Sequence, residues 1–406
     1  MPSNDYDLIV IGMGLSGLMA AMTAAEAGKR VLIIGKGMGR LCLFSNSIDF
    51  LGTLEGDHMA DGISAWIAGH PEHPYAKAGQ DRITRGISMF RSLFIPPYTF
   101  CAPGAGNCFI PTGAGTYRPT YLVPSTMTSG VGSAEGALIA GVEHFKDFSA
   151  LQAAGGLNAR GATIPLGRPR DRDFTPMALA RLIEKPWFRT ALGREIKRRM
   201  EGEKRVGFPA VLGLRNPAQV REELEYIVGA EVFEIPILPP SIPGIRIFNR
   251  FKAWFDQGKA TFLLGPSVKN PVVKGGRCEG VNVLNPPVSR LCTADAYVLA
   301  TGRFLSGGLV ASRESISEPL FGLPVVQPRS REEWFGKSFF DGHPVNHAGI
   351  RVDEHFRPID DQGRVVLENV RIAGSILAYH NSIEEKSRDG IPLSTGYAAA
   401  REAIES

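Results

Sequence analysis

Residues 7–34 read DLIVIGMGLSGLMAAMTAAEAGKRVLII, and this stretch decides the fold. Leu8 to Ile11 is a short apolar run with the character of a buried strand. Gly12, Gly14 and Gly17 then spell GxGxxG, an Ala-rich helical stretch follows as far as Gly28, and Val31 to Ile34 is a second apolar run. A βαβ unit of about 30 residues with this spacing is the fingerprint of dinucleotide binding, and the strand before and helix after lift it above a mere glycine-rich turn. Gly12 permits the tight turn, Gly14 lets a phosphate approach the backbone, and Gly17 lets the helix lie close to the strand. The helix, opening on Leu15 and Ser16, offers unpaired N–H groups and a partial positive charge to that phosphate.

One position breaks the usual pattern. A fold of this kind normally ends its second strand on Asp or Glu, which grips the adenosine ribose. Here the slot holds Gly35, followed by Lys36. Lys36 suits a phosphate better than a ribose, so the expected cofactor is one that ends in a monophosphate, with FAD as the alternative.

Composition excludes several classes. The chain has 406 residues, 44% hydrophobic and 21% charged, with a formal net charge of only +4. That is ordinary for a globular protein of two to three domains and gives no support to nucleic-acid binding. The basic run from Arg194 to Arg205 reads as a solvated helix face. Leu8 to Ala25 carries no charge, but the acidic residues before it do not make a signal peptide, and a membrane span would not open on a phosphate loop. A cytoplasmic chain is expected, with any membrane contact made through partners. Five cysteines (Cys42, Cys101, Cys108, Cys278 and Cys292) lack any CxxC spacing. They read as reduced thiols, with no metal site and no iron–sulfur cluster in this chain.

The chain continues with a polar segment, Ser45-Asn46-Ser47, set among apolar residues, and a helical pattern over Asp81 to Leu93. From about Ile95 the composition turns to Pro, Gly, Thr and Tyr, which reads as short strands and turns opening an inserted α+β domain. Helices are expected over Glu143 to Gln152, over Pro176 to Arg199 with a break at Pro186, and from Ala218 to Val228. A Pro-rich return, Ile235 to Gly244, runs into an amphipathic helix over Ile245 to Asp256. From Ala260 a β-meander is expected: Thr261 to Leu264, Val268 to Val273, a Gly275-Gly276 turn, Gly280 to Leu284 and Ala294 to Leu299. It closes in Ala300-Thr301-Gly302. A last strand spans Glu368 to Ser375, and a helix is expected to start near Ser394, with Ser394 or Thr395 as its N-cap. The expected organisation is α/β. A discontinuous Rossmann-like domain of residues 1–95 and 260–406 surrounds an inserted domain of residues 96–259.

The βαβ unit, the Ala-Thr-Gly return and the C-terminal helix together resemble the FAD/NAD(P)-binding fold of glutathione-reductase-like flavoproteins. A finer pattern resembles the B subunit family of the anaerobic glycerol-3-phosphate dehydrogenase nearly end to end. It is carried by VIGMGLSGLMAA, FSNSIDFL, PTGAGTYRPTYLVP, EIPILPPSIPGIRIFNRF, ATGRFLSGGLVASR, GIRVDEHFRPID and NVRIAGSILA. The segment GSILAYHNSIEEKSRDGIPLSTGYAAA diverges from the Gly-rich form of better-known members.

The resemblance implies a flavoprotein component, assigned FMN, of a three-part membrane-associated complex of anaerobic respiration. A partner oxidises sn-glycerol 3-phosphate to dihydroxyacetone phosphate at its own FAD, and another carries iron–sulfur clusters and the route to quinone. It implies a flavin phosphate on Gly12, Gly14, Leu15, Ser16 and Gly17, with Lys36 nearby. The ring is expected beside Ser45 and Ser47, Thr301 and Gly302, Gly374, and Ser394, Thr395 and Gly396, with the last helix directed at the flavin C2=O and N1. A glycerol phosphate site would need a cation for the phosphate and a base such as His. Arg118, Arg246, Arg303, His343, His347 and His380 are candidates that no spacing links, so no catalytic base is assigned. Two rivals remain: a stand-alone FAD oxidoreductase of the fumarate-reductase kind, and a scaffold subunit without cofactor.

Overall fold

The computed structural model describes residues 5–54, 58–166, 173–285 and 287–405. The chain forms two compact units, one of residues 1–40, 60–93 and 251–406 and the other of residues 41–59 and 94–250.

The first unit is built on five parallel strands. Their order is Thr261–Leu264, Val31–Gly35, Tyr6–Ile11, Ala294–Leu299 and Val370–Ile372. The central strands are buried on both faces and so read as unbroken apolar runs rather than alternating ones. Helix Leu15–Glu26 packs on this sheet and against the C-terminal helix Gly390–Glu405, and every residue from Leu15 to Ala24 is buried. That two-sided burial explains the charge-free run in the sequence without a membrane. The C-terminal helix is tied down by Glu402, which receives Arg82 on one oxygen and meets His355 at 2.6 Å on the other.

The antiparallel part of this unit is smaller and placed differently than the sequence suggests. Thr261–Leu264 and Ala294–Leu299 belong to the parallel sheet, not to a meander. The antiparallel sheet consists of Ser267–Lys274, Arg277–Asn285 and Val288–Cys292. Gly275 and Gly276 make its first turn with φ of 56° and 73°, which only glycine adopts without strain. Asn369 ties this sheet to the last parallel strand by two 2.9 Å bonds, to the N–H and the C=O of Cys278.

The second unit has its own sheet, in the order Glu231–Ile235, Arg205–Pro209, Leu138–Val142 and Arg160–Ile164, all parallel. Helix Ala150–Gly156, the pair Pro176–Ile183 and Pro186–Arg199, and helix Pro217–Val228 make the crossovers, and one apolar core joins them. The helix expected at Glu143 begins instead at Ala150, where Ser149 caps it. The break at Pro186 separates Pro176–Ile183 from Pro186–Arg199. Leu41–Met59, placed with the nucleotide domain by the sequence reading, packs in this unit. Ile48 bridges Leu122 there, and Arg118 holds Asp49 at 2.6 Å.

A buried ion pair fixes this unit internally. Arg246 grips both oxygens of Glu234 at 2.8 Å, with both side chains almost fully shut off from solvent. Thr126 Oγ1 and the Leu212 N–H donate to the same carboxylate, and Arg246 Nε donates to Gly213 O at 2.7 Å. Such a pair is tolerable only when every lone pair and proton is used. Replacing Arg246 by Met strands the carboxylate. Urea unfolding should show a loss of about 3–5 kcal/mol, and a loss below about 1 kcal/mol would remove this pair from the account of the unit's stability.

Candidate functional site

The phosphate loop has the geometry its glycines require. Gly12 has φ 117°, and a Cβ there would lie 2.2 Å from Ala300 O. A Cβ on Gly17 would lie 2.0 Å from Gly12 O, so turn and helix are in direct backbone contact. Gly14 is the opposite case: it caps the helix from an extended conformation, and nothing lies within 4 Å of where its Cβ would be. The first helical turn carries no acidic residue, and Gly14 supplies no side-chain cap, so the leading N–H groups are left for a ligand.

Three returning segments close on this loop. Gly302 turns the chain with φ 74° just after Ala300, and the Thr301 hydroxyl is buried without a hydrogen-bond partner. Gly374, at φ 85°, and Gly396 both press on Ser16, where a Cβ on either would fall 2.3 Å from a Ser16 oxygen. The last helix starts at Gly390, four residues before the expected point, so Ser394 and Thr395 are not its caps. Thr395 Oγ1 instead donates to Ile391 O at 2.6 Å and accepts from the Gly374 N–H at 2.9 Å. Ser394 is fully buried, its hydroxyl unpartnered.

Gly35 is explained by its neighbour. A Cβ there would meet Met13 Cγ at 2.7 Å, so the buried Met13 side chain fills the space into which a ribose-binding carboxylate would extend. Lys36 is exposed. Ser45 and Ser47 lie in the second unit, where both hydroxyls accept from Arg118. Between them Asn46, in the left-handed region at φ 71°, is buried with its amide nitrogen unpartnered.

Of the six candidate Arg and His residues, the structure brings three near one another: Arg303, His380 and His347, whose carbonyl accepts from the Tyr379 N–H at 3.1 Å. Arg118 serves Asp49, and Arg246 serves Glu234. His343 bonds backbone of its own loop, from Gly336 N and to Phe339 O. Arg303 and His380 meet in the first unit, where Arg303 Nη2 donates to the carbonyls of Leu377 at 3.0 Å and His380 at 3.2 Å. The His380 ring is 1% exposed and neither nitrogen forms a hydrogen bond. Burial, with Arg40 beside it, pulls the Arg303 guanidinium down to about 10. Sequence reasoning missed the neighbouring network. His73 Nε2 faces Glu385 Oε2 at 3.2 Å, Ser387 Oγ donates to that oxygen at 2.8 Å, and the Asn381 N–H donates to Oε1 at 2.6 Å. The polar density of residues 380–387 was visible, but no local pattern reveals a partner as distant in sequence as His73.

The arrangement fits a bound flavin phosphate. An open cradle at a helix N-terminus, with no acidic residue in the first helical turn, offers backbone donors to phosphate oxygens, and the Thr301 hydroxyl at the neighbouring return is unpartnered.

A family profile described as FAD binding domain matches residues 7–384. The chain is 32% identical to a protein of Halobacterium salinarum named as a probable B subunit of anaerobic glycerol-3-phosphate dehydrogenase, across 99% of this chain and 98% of that one. It is 28% identical to the anaerobic glycerol-3-phosphate dehydrogenase B subunit of Vibrio cholerae, across 98% and 96%. Among solved structures, 3-ketosteroid delta1-dehydrogenase from Sterolibacterium denitrificans aligns over 99% of this chain and 100% of that one, at 11% identity and a TM-score of 0.46.

Gly14→Ala adds a methyl to the open cradle without touching protein. The purified variant should unfold within about 0.5 kcal/mol of the parent, yet lose flavin affinity at least roughly tenfold as the phosphate is pushed off the backbone. Equal flavin content in the two proteins would place the cofactor elsewhere. His380 supplies a second test. Burial, then Arg303 and His73, holds its pKa well below the ordinary 6.5. The unfolded chain therefore binds a proton that the folded chain refuses, so this contribution to stability is complete above 6.5 and is lost as pH falls below it. Urea unfolding between about pH 7.5 and 5 should carry a slope of up to about 1.4 kcal/mol per pH unit from this residue. His380→Gln removes it, and identical slopes would contradict the assignment.

Proposed function

This chain belongs to the family of anaerobic glycerol-3-phosphate dehydrogenase B subunits, with an FAD-binding-type domain over most of its length, and from that premise we propose that it carries electrons from sn-glycerol 3-phosphate oxidation toward a quinone-linked acceptor. It is an oxidoreductase subunit with a flavin cofactor. The observation that carries the reading is the open Gly14 cradle at the N-terminus of the first helix, whose leading N–H groups have no side-chain cap.

The cofactor is proposed to be FMN, because Met13 occupies the space beside Gly35 that a ribose carboxylate would need. FAD is the second reading, favoured by the family profile itself. A flavin supplies two-electron uptake from one partner and one-electron release to another. The chain's own part is to bind and orient it. The Leu15–Glu26 helix turns its N-terminus and leading N–H groups to the phosphate. Thr301, Gly302, Gly374 and Ser394 are assigned to the groups beyond that phosphate, with Thr395 holding the Gly374 turn in place. Lys36 is proposed to add positive charge near the loop.

Oxidation of the substrate to dihydroxyacetone phosphate is proposed to occur with partner subunits, one bearing its own FAD and one bearing iron–sulfur clusters. The relatives' names as B subunits support an assembly of several chains. Among the described residues no helix is long and apolar enough to cross a membrane, and attachment to the cytoplasmic membrane is assigned to the partners.

Denaturing release of cofactor from the purified chain, followed by chromatography, tests the reading. About one FMN per chain is expected. About one FAD would overturn the inference from Gly35 while keeping the electron carrier. No flavin after attempted reconstitution with both would leave a scaffold subunit.

A further inference from the structure

Two aromatic side chains stand almost bare on a short loop of the first unit. Phe339 is 86% exposed and Phe340 93%, with their rings 5.2 Å apart and edge to face. Leaving both rings in water forgoes the free energy of burying them. The loop is built to hold them there. Trp334 is buried at its base, and the Val345 N–H donates to the Trp334 carbonyl at 3.1 Å. His343 Nδ1 accepts from the Gly336 N–H at 3.1 Å, which leaves the ring proton on Nε2, 3.2 Å from Phe339 O. The Asp341 carboxylate accepts from the Ser338 N–H at 2.7 Å, and the Asp341 N–H donates to Ser338 O at 3.1 Å. These bonds close the loop on itself and turn the two rings outward.

More apolar surface lies on the segments tied to this loop. Arg303 donates to Asn346 O and to the carbonyls of Leu377 and His380, so one guanidinium joins three stretches of chain. Leu305, close after Arg303, and Ile383, close after His380, are both exposed. Gly342 lies against Glu384, where a Cβ on the glycine would fall 3.2 Å from Oε1. Phe335 adds a further exposed ring, edge-on to His343 at 5.7 Å. Large apolar side chains gathered at a surface in this way mark a place where something docks. The exposed charges among them are of both signs, Lys337 and Lys386 with Asp341 and Glu384. Carboxylates so placed oppose an anionic bilayer. An apolar centre within a polar rim is instead the make-up of a protein–protein interface, and buried aromatic rings carry much of the affinity of such interfaces.

The same segments border the cofactor loop. Arg303 follows Gly302, at the return that meets Gly12 through Ala300, and Ile383 lies between Gly374 and the helix that begins at Gly390. A chain seated on this face rests on the elements assigned to the flavin, as electron exchange between two proteins requires. We propose that Phe339 and Phe340 anchor this chain to a different protein chain that bears a redox centre, the partner offering an apolar pocket to the rings and opposite charges to Lys337 and Asp341. The proposal rests on the reading of the chain as one subunit of a dehydrogenase, which selects another subunit over a second copy. It gives that subunit the face through which electrons enter or leave.

The test uses the full chain in the cells that naturally make it, with a photo-crosslinking residue introduced as Phe340→benzoylphenylalanine. Tyr226→benzoylphenylalanine, at a position 90% exposed in the second unit, reports chance collisions. Irradiation should link position 340 to another chain that carries FAD or iron–sulfur clusters, identified by mass spectrometry. In parallel, a tagged Phe339→Ser/Phe340→Ser variant should keep its melting temperature and flavin content, since both rings stand in water. It should retain roughly tenfold less of that partner through purification. Crosslinks from position 340 only to a second copy of this chain, or only to lipid, overturn the proposal. So does a double variant that retains its partner within about twofold of the parent. In either case, redox chains that still co-purify with the parent leave the electron-carrier reading standing. A parent that co-purifies with no redox chain and crosslinks to none sinks that reading and this face together.

Discussion

Backbone packed directly on backbone around one turn is the constraint on which the first unit depends. Gly12 meets Ala300, Gly17 meets Gly12 and Gly396 meets Ser16 through backbone, while Gly374 presses on the Ser16 side chain. At each of these points a single methyl would force strand, turn or helix apart, since atoms cannot approach to near 2 Å. Because the contacts are so close, three segments far apart in sequence are held to one small region. The helix N-terminus at their centre keeps its N–H groups pointing outward. Gly14, alone among the loop glycines, faces open space. The phosphate cradle is thus what remains when every other side of the turn has been filled by the protein itself.

The chain handles buried polarity in two contrasting ways. In the second unit Glu234 and Arg246 bond each other through both carboxylate oxygens, and Thr126 and backbone groups add to both partners. Bonding of this kind offsets the cost of burying the two charges. In the first unit Arg303 and His380 sit in a region just as dry with bonds left unmade. The difference separates an ion pair completed within the protein from polar groups whose bonds the described residues leave incomplete.

Much of this was legible in the sequence where the cause was local. The GxGxxG spacing, the Ala-rich helix, the Gly275-Gly276 turn and the break at Pro186 each depend on a few adjacent residues, and each is found where it reads. The strand partners were not legible. Thr261–Leu264 and Ala294–Leu299 look like members of a meander because they follow one another closely, yet they pair with strands from the start of the chain. The last helix was misplaced for a related reason. Ser394 and Thr395 have the side chains of a cap, but Thr395 spends its hydroxyl on Gly374, a partner 21 positions away. At the site, the phosphate loop could be named from its motif. The His73–Glu385 contact could not, since its two partners are distant in sequence. Met13 gives the clearest instance: Gly35 looked like an omission and is instead the partner of a bulkier neighbour.

The order of strands in the first sheet bears on how the chain is made. Tyr6–Ile11 lies between Val31–Gly35 and Ala294–Leu299, so its second neighbour leaves the ribosome long after the first. At roughly 5–20 residues per second, the opening strand and its charge-free helix wait tens of seconds with one edge unpaired and one helix face uncovered. Non-local parallel pairing of this kind is intrinsically slow, and an apolar segment left waiting invites association with other chains. The second unit has its four strands within residues 138–235 and can complete its sheet during that interval. The segment exposed longest during synthesis is therefore Tyr6–Glu26, from its emergence until the strand that ends at Leu299 arrives.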